Sequence, residues 1–278
     1  VGGTVAIHQP NVFPRLSTLA KLYAADRWIV LDDVQFARRD YQHRARLAML
    51  DDPHRQQWLS VATHLPRGRS TLIRDAQLAE PVQCRRRVAG LVRQFYGRSR
   101  RWKAVQDVLA PVLERFTTTD RTADIAEVSV RALLSSVRWS GEVLHSSVLP
   151  SRPGRSQRLA SLAAVTGSTT YLCGTGGLRY LETEPFATHR VAVMPFHLPD
   201  ASSASVWRFA REVSALWALA LLGPEELAAE LGRLRASHEP ATCPGVIAKR
   251  DSLADPIWGS NPVRGSSRYE GVPETRGS

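Results

Sequence analysis

An α/β fold with a mostly parallel central sheet and one helical insertion is what the sequence predicts, on three observations. Val5-Ala6-Ile7 and Trp28-Ile29-Val30-Leu31 are short, continuous apolar runs without alternation, the pattern of strands buried on both faces. Leu16, Leu19, Ala20, Leu22 and Tyr23 fall at helical spacing between them, giving a strand–helix–strand opening. Residues 81–141 then carry only helical periodicity, after which strand and helix patterns alternate again. Together these make the expected architecture Rossmann-like: a single α/β domain over residues 1–236 that includes a helical insertion at about 81–141.

The remaining elements follow in order. Residues 44–49 and 57–61 read as a hairpin turning at Asp51-Asp52-Pro53, and 71–78 as a further short strand. Within the insertion, one stripe runs through Val88, Leu91, Val92, Phe95 and Tyr96 and stops at Gly97. A second runs through Trp102, Val105, Val108, Leu109, Val112 and Phe116, and a third through Ile125, Val128, Leu133, Leu134 and Val137. Asp124 suits the positive end of that third helix. Residues 143–148 read as a strand, 152–155 as a loop, and Leu159, Leu162, Ala163 and Val165 as a helix ended by Gly167. Thr169-Thr170-Tyr171-Leu172-Cys173 is a strand entering the glycine turn Gly174-Thr175-Gly176-Gly177, and residues 190–194 are another strand. Helix returns at 206–222 and 224–234. From residue 237 the composition turns to Pro, Gly, Ser and charge, which predicts a largely disordered extension over 237–278.

Hydrophobic residues make up 43% of the 278, enough for a proper core. No apolar run approaches the ~20 residues of a membrane span. Val1-Gly2-Gly3-Thr4 has neither the basic segment nor the apolar stretch of a secretion signal, so a cytoplasmic protein is expected. Cys84, Cys173 and Cys243 are too few and too scattered for a disulfide framework or a zinc cluster, and no metal ligand set is predicted. The net charge is +11, and nearly all cations are arginine, the lysines being Lys21, Lys103 and Lys249. Arg85-Arg86-Arg87, Arg93, Arg98, Arg100 and Arg101 crowd one stretch, which suits an anionic partner such as RNA or an acidic carrier protein, or is a solvated face.

Two strand-like runs end in reactive residues. His8-Gln9-Pro10-Asn11 follows the first, and Asp32-Asp33 followed by Gln35, Arg38, Arg39, Gln42, His43 and Arg44 the second. In open α/β sheets ligands bind at the carboxyl ends of neighbouring strands. An imidazole there is a candidate general base or acid. Adjacent aspartates on a strand point to opposite faces, so one faces the crevice; Asp33 is assigned as the partner of His8, and Asp32 to the substrate-binding set. Gln9, Asn11, Gln35, Arg38, Gln42 and Arg44 offer the carboxamides and guanidinium forks that suit carboxylate, phosphate or sugar hydroxyls. On the second half, Arg158 at a helix start and Gly174 and Gly176 leaving a strand form a candidate anion cradle facing His8 across the sheet edge. Cys173, just before that turn, is a possible nucleophile with His197 as a possible partner, or a buried structural thiol.

The run His8-Gln9-Pro10-Asn11, Phe13-Pro14, Leu31-Asp32-Asp33-Val34-Gln35-Phe36 and Tyr41-Gln42 resembles the signature of the WbqC-like protein family. The likeness continues through Ser156-Gln157-Arg158-Leu159, Tyr171-Leu172-Cys173-Gly174, Gly177, Tyr180-Leu181, Ser214-Ala215-Leu216-Trp217 and Gly223-Pro224-Glu225, covering roughly residues 5–230. The resemblance implies a role in polysaccharide or natural-product biosynthesis. It implies transfer of an aminoacyl or acyl group onto an amine. Joined to the base-and-clamp chemistry of the first site, this gives the expectation that His8 takes the amine proton, Asp33 orients His8, and the Arg and Gln groups hold the acceptor.

The expected reaction is therefore amide formation between an activated acyl or aminoacyl donor and a small-molecule acceptor such as an amino sugar. The donor could ride on an acyl or peptidyl carrier protein or an aminoacyl-tRNA. No cofactor is identified, although a nucleotide fits a second reading, nucleotidyl transfer or adenylation on the same fold. For that reading a histidine after the first strand is the supporting feature, and the missing second histidine of the usual motif the opposing one. The third reading is a non-catalytic basic adaptor binding RNA or a carrier protein through residues 85–101.

Overall fold

The computed structural model describes residues 2–199 and 206–238. The chain opens with β1 (Gly3–His8), α1 (Leu16–Tyr23) and β2 (Arg27–Val30), then a hairpin of β3 (Arg44–Ala48) and β4 (Gln56–Ser60). Two short strands, β5 (Thr63–His64) and β6 (Gln77–Leu78), lead into the helices α2 (Pro81–Tyr96), α3 (Trp102–Arg115) and α4 (Thr122–Ser136). The α/β pattern resumes with β7 (Glu142–His145), α5 (Arg155–Val165), β8 (Ser168–Gly174), α6 (Thr175–Leu178), α7 (Glu184–Thr188) and β9 (Ala192–Phe196). The described chain closes with α8 (Ala215–Leu222) and α9 (Pro224–Ala236).

Five of these strands form one all-parallel sheet in the order β7-β2-β1-β8-β9. Counting only its own strands, that order is 3-2-1-4-5, the doubly-wound Rossmann arrangement. Successive side chains of β1 go to opposite faces. Ala6 joins the core built by α1, α4, α8 and α9, whereas Val5 and Ile7 join the core under α5 and α7. Both faces are covered, which is why these strands read as unbroken apolar runs. Trp28 of β2 is fully buried on the first face, beneath the helical insertion.

The hairpin, the insertion and the parallel central sheet match the sequence expectations. Four local expectations do not. Residues 143–148 are not one strand: β7 stops at His145, and Ser146–Val148 turns as a 3-10 helix. The cause is side-chain competition, because Ser147 turns its N–H and hydroxyl onto the Asp32 carboxylate (3.1 and 2.8 Å) and leaves the ladder. The 71–78 strand shrinks to β6, preceded by a 3-10 turn at Ile73–Asp75. The helix expected over 206–222 is broken, since the backbone of Ser214 bonds to Arg46 instead and its side chain caps α8 by accepting from the Leu216 N–H. The glycine turn at 174–177 is the entry into the single-turn helix α6. The extension expected from residue 237 lies, from residue 239 onward, outside the described residues.

Candidate functional site

The strand order reverses between β1 and β8: the chain leaves β1 toward β2 on one side, and leaves β8 toward β9 on the other. This is the switch point at which doubly-wound sheets open a crevice. Here the carboxyl ends of β1 and β8 border a cleft of about 470 Å³ whose walls include His8, Arg15, Lys21, Cys173, Gly174 and Arg211. A more apolar cleft of about 800 Å³ lies away from the switch point, beside β9 and α9, and is lined by Met194, His197, Trp207 and His238. The smaller one carries the concentration of charge and the strand-end imidazole.

His8 is the last residue of β1, and alternation places it with Ala6 on the α1 face. Its main-chain carbonyl accepts from the Trp28 indole (3.1 Å) and from the Leu31 N–H (3.0 Å), which fixes the strand end. The ring Nδ1 lies 2.8 Å from the Gln9 carbonyl. A carbonyl can only accept, so in the neutral ring Nδ1 carries the proton and Nε2 is left as an acceptor. Burial holds the imidazole down to about 3; the charges of Lys21 and Arg15 push the same way, and the Gln9 carbonyl pulls upward. His8 is therefore a neutral imidazole of fixed tautomer across the physiological range.

Lys21 approaches from the last turn of α1, where a cation also complements the helix dipole. It is only 8% exposed, and its stem runs beside Gly174, where an added Cβ would make an ordinary contact, 3.9 Å from Lys21 Cδ. Burial brings the ammonium down to about 8, with the neighbouring Cys173 thiol opposing and Arg15 reinforcing. Arg15 immediately precedes α1, stacks over the Tyr41 ring at 4.3 Å and donates to the Arg211 carbonyl (3.1 Å). Arg211 in turn donates to the Thr175 hydroxyl (3.1 Å), tying the segment before α8 to α6. Among the described residues lining this cleft there is no carboxylate.

Cys173 is buried, and the desolvation raises its thiol above the ordinary value, with Lys21 and Tyr171 pulling the other way. A Cβ on Gly177 would come within 3.0 Å of its sulfur, so the glycine there leaves space for the thiol. His197, the partner expected for it, lines the other cleft, where its N–H donates to His238 Nε2 (3.0 Å).

His8, Gly174 and Gly176 thus share one cleft, as the sheet-edge reasoning expects, and Cys173 shares it too. The other expected site residues lie elsewhere. Asp33 does not engage His8: its carboxylate is held by Arg158 and by the Ser146 hydroxyl. Burial alone would raise that carboxyl, but the hydrogen bonds from Ser146 and Arg158 and the charge of Arg158 leave it below the ordinary value. Asp32 accepts from Ser147 and closes β2 onto the end of β7. Both aspartates lie beyond the last residue of β2, so strand alternation does not govern them. Arg158 is accordingly committed to Asp33 and is not part of the cleft lining.

The carboxamides of the N-terminal block hold loops. Gln42 is buried; its amide nitrogen donates to Gln9 Oε1 (2.8 Å) and its oxygen accepts from the Ala37 N–H (2.9 Å). Gln35 donates to the Arg69 carbonyl, and Arg44 donates to the Asp40 and Arg39 carbonyls while lying 4.3 Å over the Trp58 ring. Asn11 is buried; its main-chain carbonyl accepts from the Ser129 hydroxyl on α4 (3.3 Å), while its side-chain Oδ1 has no partner among the described residues, and Ser129 also accepts from the N–H of Phe13, whose φ of 40° is strained for a bulky residue. Arg38 is exposed at the surface. Among the described residues no three of His, Cys, Asp and Glu converge as a metal site.

Sequence reasoning passed over Arg15, Lys21 and Arg211. One signal was present: in an arginine-rich chain with three lysines, Lys21 stands between Ala20 and Leu22 within an apolar helical stripe. The model of one protein family, described as the WbqC-like protein family, matches residues 9–229. No curated protein and no solved structure matches the chain.

Proposed function

We propose, from the premise that the chain belongs to the WbqC-like protein family, that it transfers an acyl or aminoacyl group onto an amine of a sugar or natural-product intermediate, in the cleft between β1 and β8. The observation that carries this reading is the pinned imidazole: Nδ1 is committed to the Gln9 carbonyl, so Nε2 faces its surroundings as a proton acceptor. The acceptor amine attacks the acyl carbon, a C–N bond forms, and the bond to the donor's thiol or hydroxyl oxygen breaks. The amine proton passes to His8 Nε2 and then to the leaving group. An imidazole held as low as about 3 is a weak base in the empty cleft. Burial is the larger cause; a bound anion offsets the Lys21 and Arg15 charges that add to it, so His8 is a stronger base in the loaded site than in the free protein. Donors that fit are a thioester on an acyl or peptidyl carrier protein or an aminoacyl-tRNA. The exposed arginines of α2, Arg85, Arg86, Arg87 and Arg93, are available to attract such an acidic carrier.

The same cations favour one competing reading, nucleotidyl transfer or adenylation, because a neutral imidazole beside Lys21 and Arg15 also suits a phosphoryl transition state. Incubating the purified protein with a panel of acyl and aminoacyl donors and amino sugars, followed by mass spectrometry, separates the two. Acyl transfer gives an amide whose mass equals acceptor plus acyl group minus one hydrogen. Absence of any amide together with ATP–pyrophosphate exchange would replace transfer by adenylation.

A further inference from the structure

We infer that the β1–β8 cleft is an anion site, seating the carboxylate or phosphate of a small substrate against Lys21 with Arg15 and Arg211 beside it. The inference rests on the cleft of the transfer reading and names its substrate class, but it does not require that transfer take place.

Lysine is almost never buried without a carboxylate partner, because an unpaired charge loses several kcal/mol of hydration. Lys21 is 8% exposed, and among the described residues no ion pair involves it, Arg15 or Arg211. The Arg15 side chain repeats the pattern: its Nε is buried with no hydrogen-bond acceptor. Three cations therefore line one cleft with no carboxylate among its described lining residues. Acids near these cations in sequence are engaged elsewhere, Glu212 with Arg46 and Asp26 with the Thr4 N–H and Arg235. Thr18, on the cleft wall, adds a neutral hydroxyl donor. The volume of about 470 Å³ is that of a small-ligand pocket. An anion is the component that would complete this set of groups.

The groups facing Lys21 are Arg15 before its own helix, His8 on β1, Tyr171 and Cys173 on β8, and Arg211 before α8. With the empty-site ammonium near 8, an anion has to keep Lys21 protonated in order to bind it, so affinity falls as pH rises through that value.

The test is calorimetric titration of the full chain with inorganic phosphate and, separately, with acetate, at low ionic strength between pH 7 and pH 9. Acetate does not titrate in that window, so its affinity is expected to fall about tenfold across it. Lys21→Arg, whose charge does not titrate there, should bind with that decline abolished, and Lys21→Met should bind at least about tenfold more weakly. Lys21→Met also removes an unpaired buried charge, so without anions its Tm should equal or exceed that of the parent chain, which shows that lost binding is not lost folding. Tighter binding of phosphate assigns a phosphate-bearing substrate, and tighter binding of acetate a carboxylate. Equal affinity of the parent chain and Lys21→Met for both ions, or an unchanged pH profile in Lys21→Arg, would overturn the inference. Binding that depends on Lys21 in a protein that forms no amide would uphold it and remove only the transfer reading.

Discussion

His8→Ala is expected to lower acyl transfer by about 10²–10⁴-fold while leaving the fold intact. His8 lies at a strand end, and among the described residues the one hydrogen bond of its ring is local, to the Gln9 carbonyl, so removing it leaves no distant buried group unpaired. The strand end itself is fixed by main-chain bonds from Trp28 and Leu31, which alanine retains. His8→Gln is the sharper variant. Its carboxamide oxygen can accept a hydrogen bond near the position of Nε2 but cannot take a proton. Near-parent turnover in His8→Gln with loss in His8→Ala would make His8 an orienting group, whereas equal loss in both identifies proton acceptance. The pH profile follows from the same electrostatics. Because burial keeps free His8 neutral down to about 3, kcat/KM should show no rising limb near the ordinary histidine value. It should instead decline above about 8, where Lys21 loses its charge.

Trp28→Ala is expected to destabilise the protein by about 3–5 kcal/mol, read as a fall in the denaturant midpoint at unchanged slope. Trp28 is fully buried in the core between the sheet and the helical insertion, so truncation leaves a large cavity that close-packed neighbours fill only in part. The indole also donates to the His8 carbonyl, a bond worth about 1 kcal/mol that no alanine can replace. Trp28→Phe keeps most of the packing and loses only that donor. A much smaller loss of stability, accompanied by reduced transfer, is expected for it, because the His8 carbonyl then loses one of its two donors.

The central sheet was legible because its strands are buried on both faces and so appear as continuous apolar runs, Val5-Ala6-Ile7 and Trp28-Ile29-Val30 among them. The shared carboxyl edge followed from that, and it brought His8 to the same cleft as Gly174 and Gly176. Asp32 and Asp33 were misjudged because β2 ends at Val30: alternation applies to a strand, and these carboxylates are placed by Ser146, Ser147 and Arg158, more than a hundred residues away in sequence. The carboxamides near them carry the family likeness, yet Gln42 and Gln35 spend their hydrogen bonds on neighbouring loops. Local pattern cannot tell a ligand contact from a loop staple. Arg15 and Arg211 were invisible for a similar reason, since they meet across 196 residues. Lys21 offered a local signal, a lysine between Ala20 and Leu22, but only the fold places β8 beside it.

The most direct measurement is a crystal structure of the full chain with a hydrolysis-resistant aminoacyl or acyl donor. The expected result is the donor in the cleft between β1 and β8, its anionic group against Lys21 and Arg15 and its acyl carbon beside His8 Nε2. A donor bound instead among Asp32, Asp33 and Ser146, or in the cleft lined by Met194 and His238, with the His8 cleft empty, would contradict the assignment.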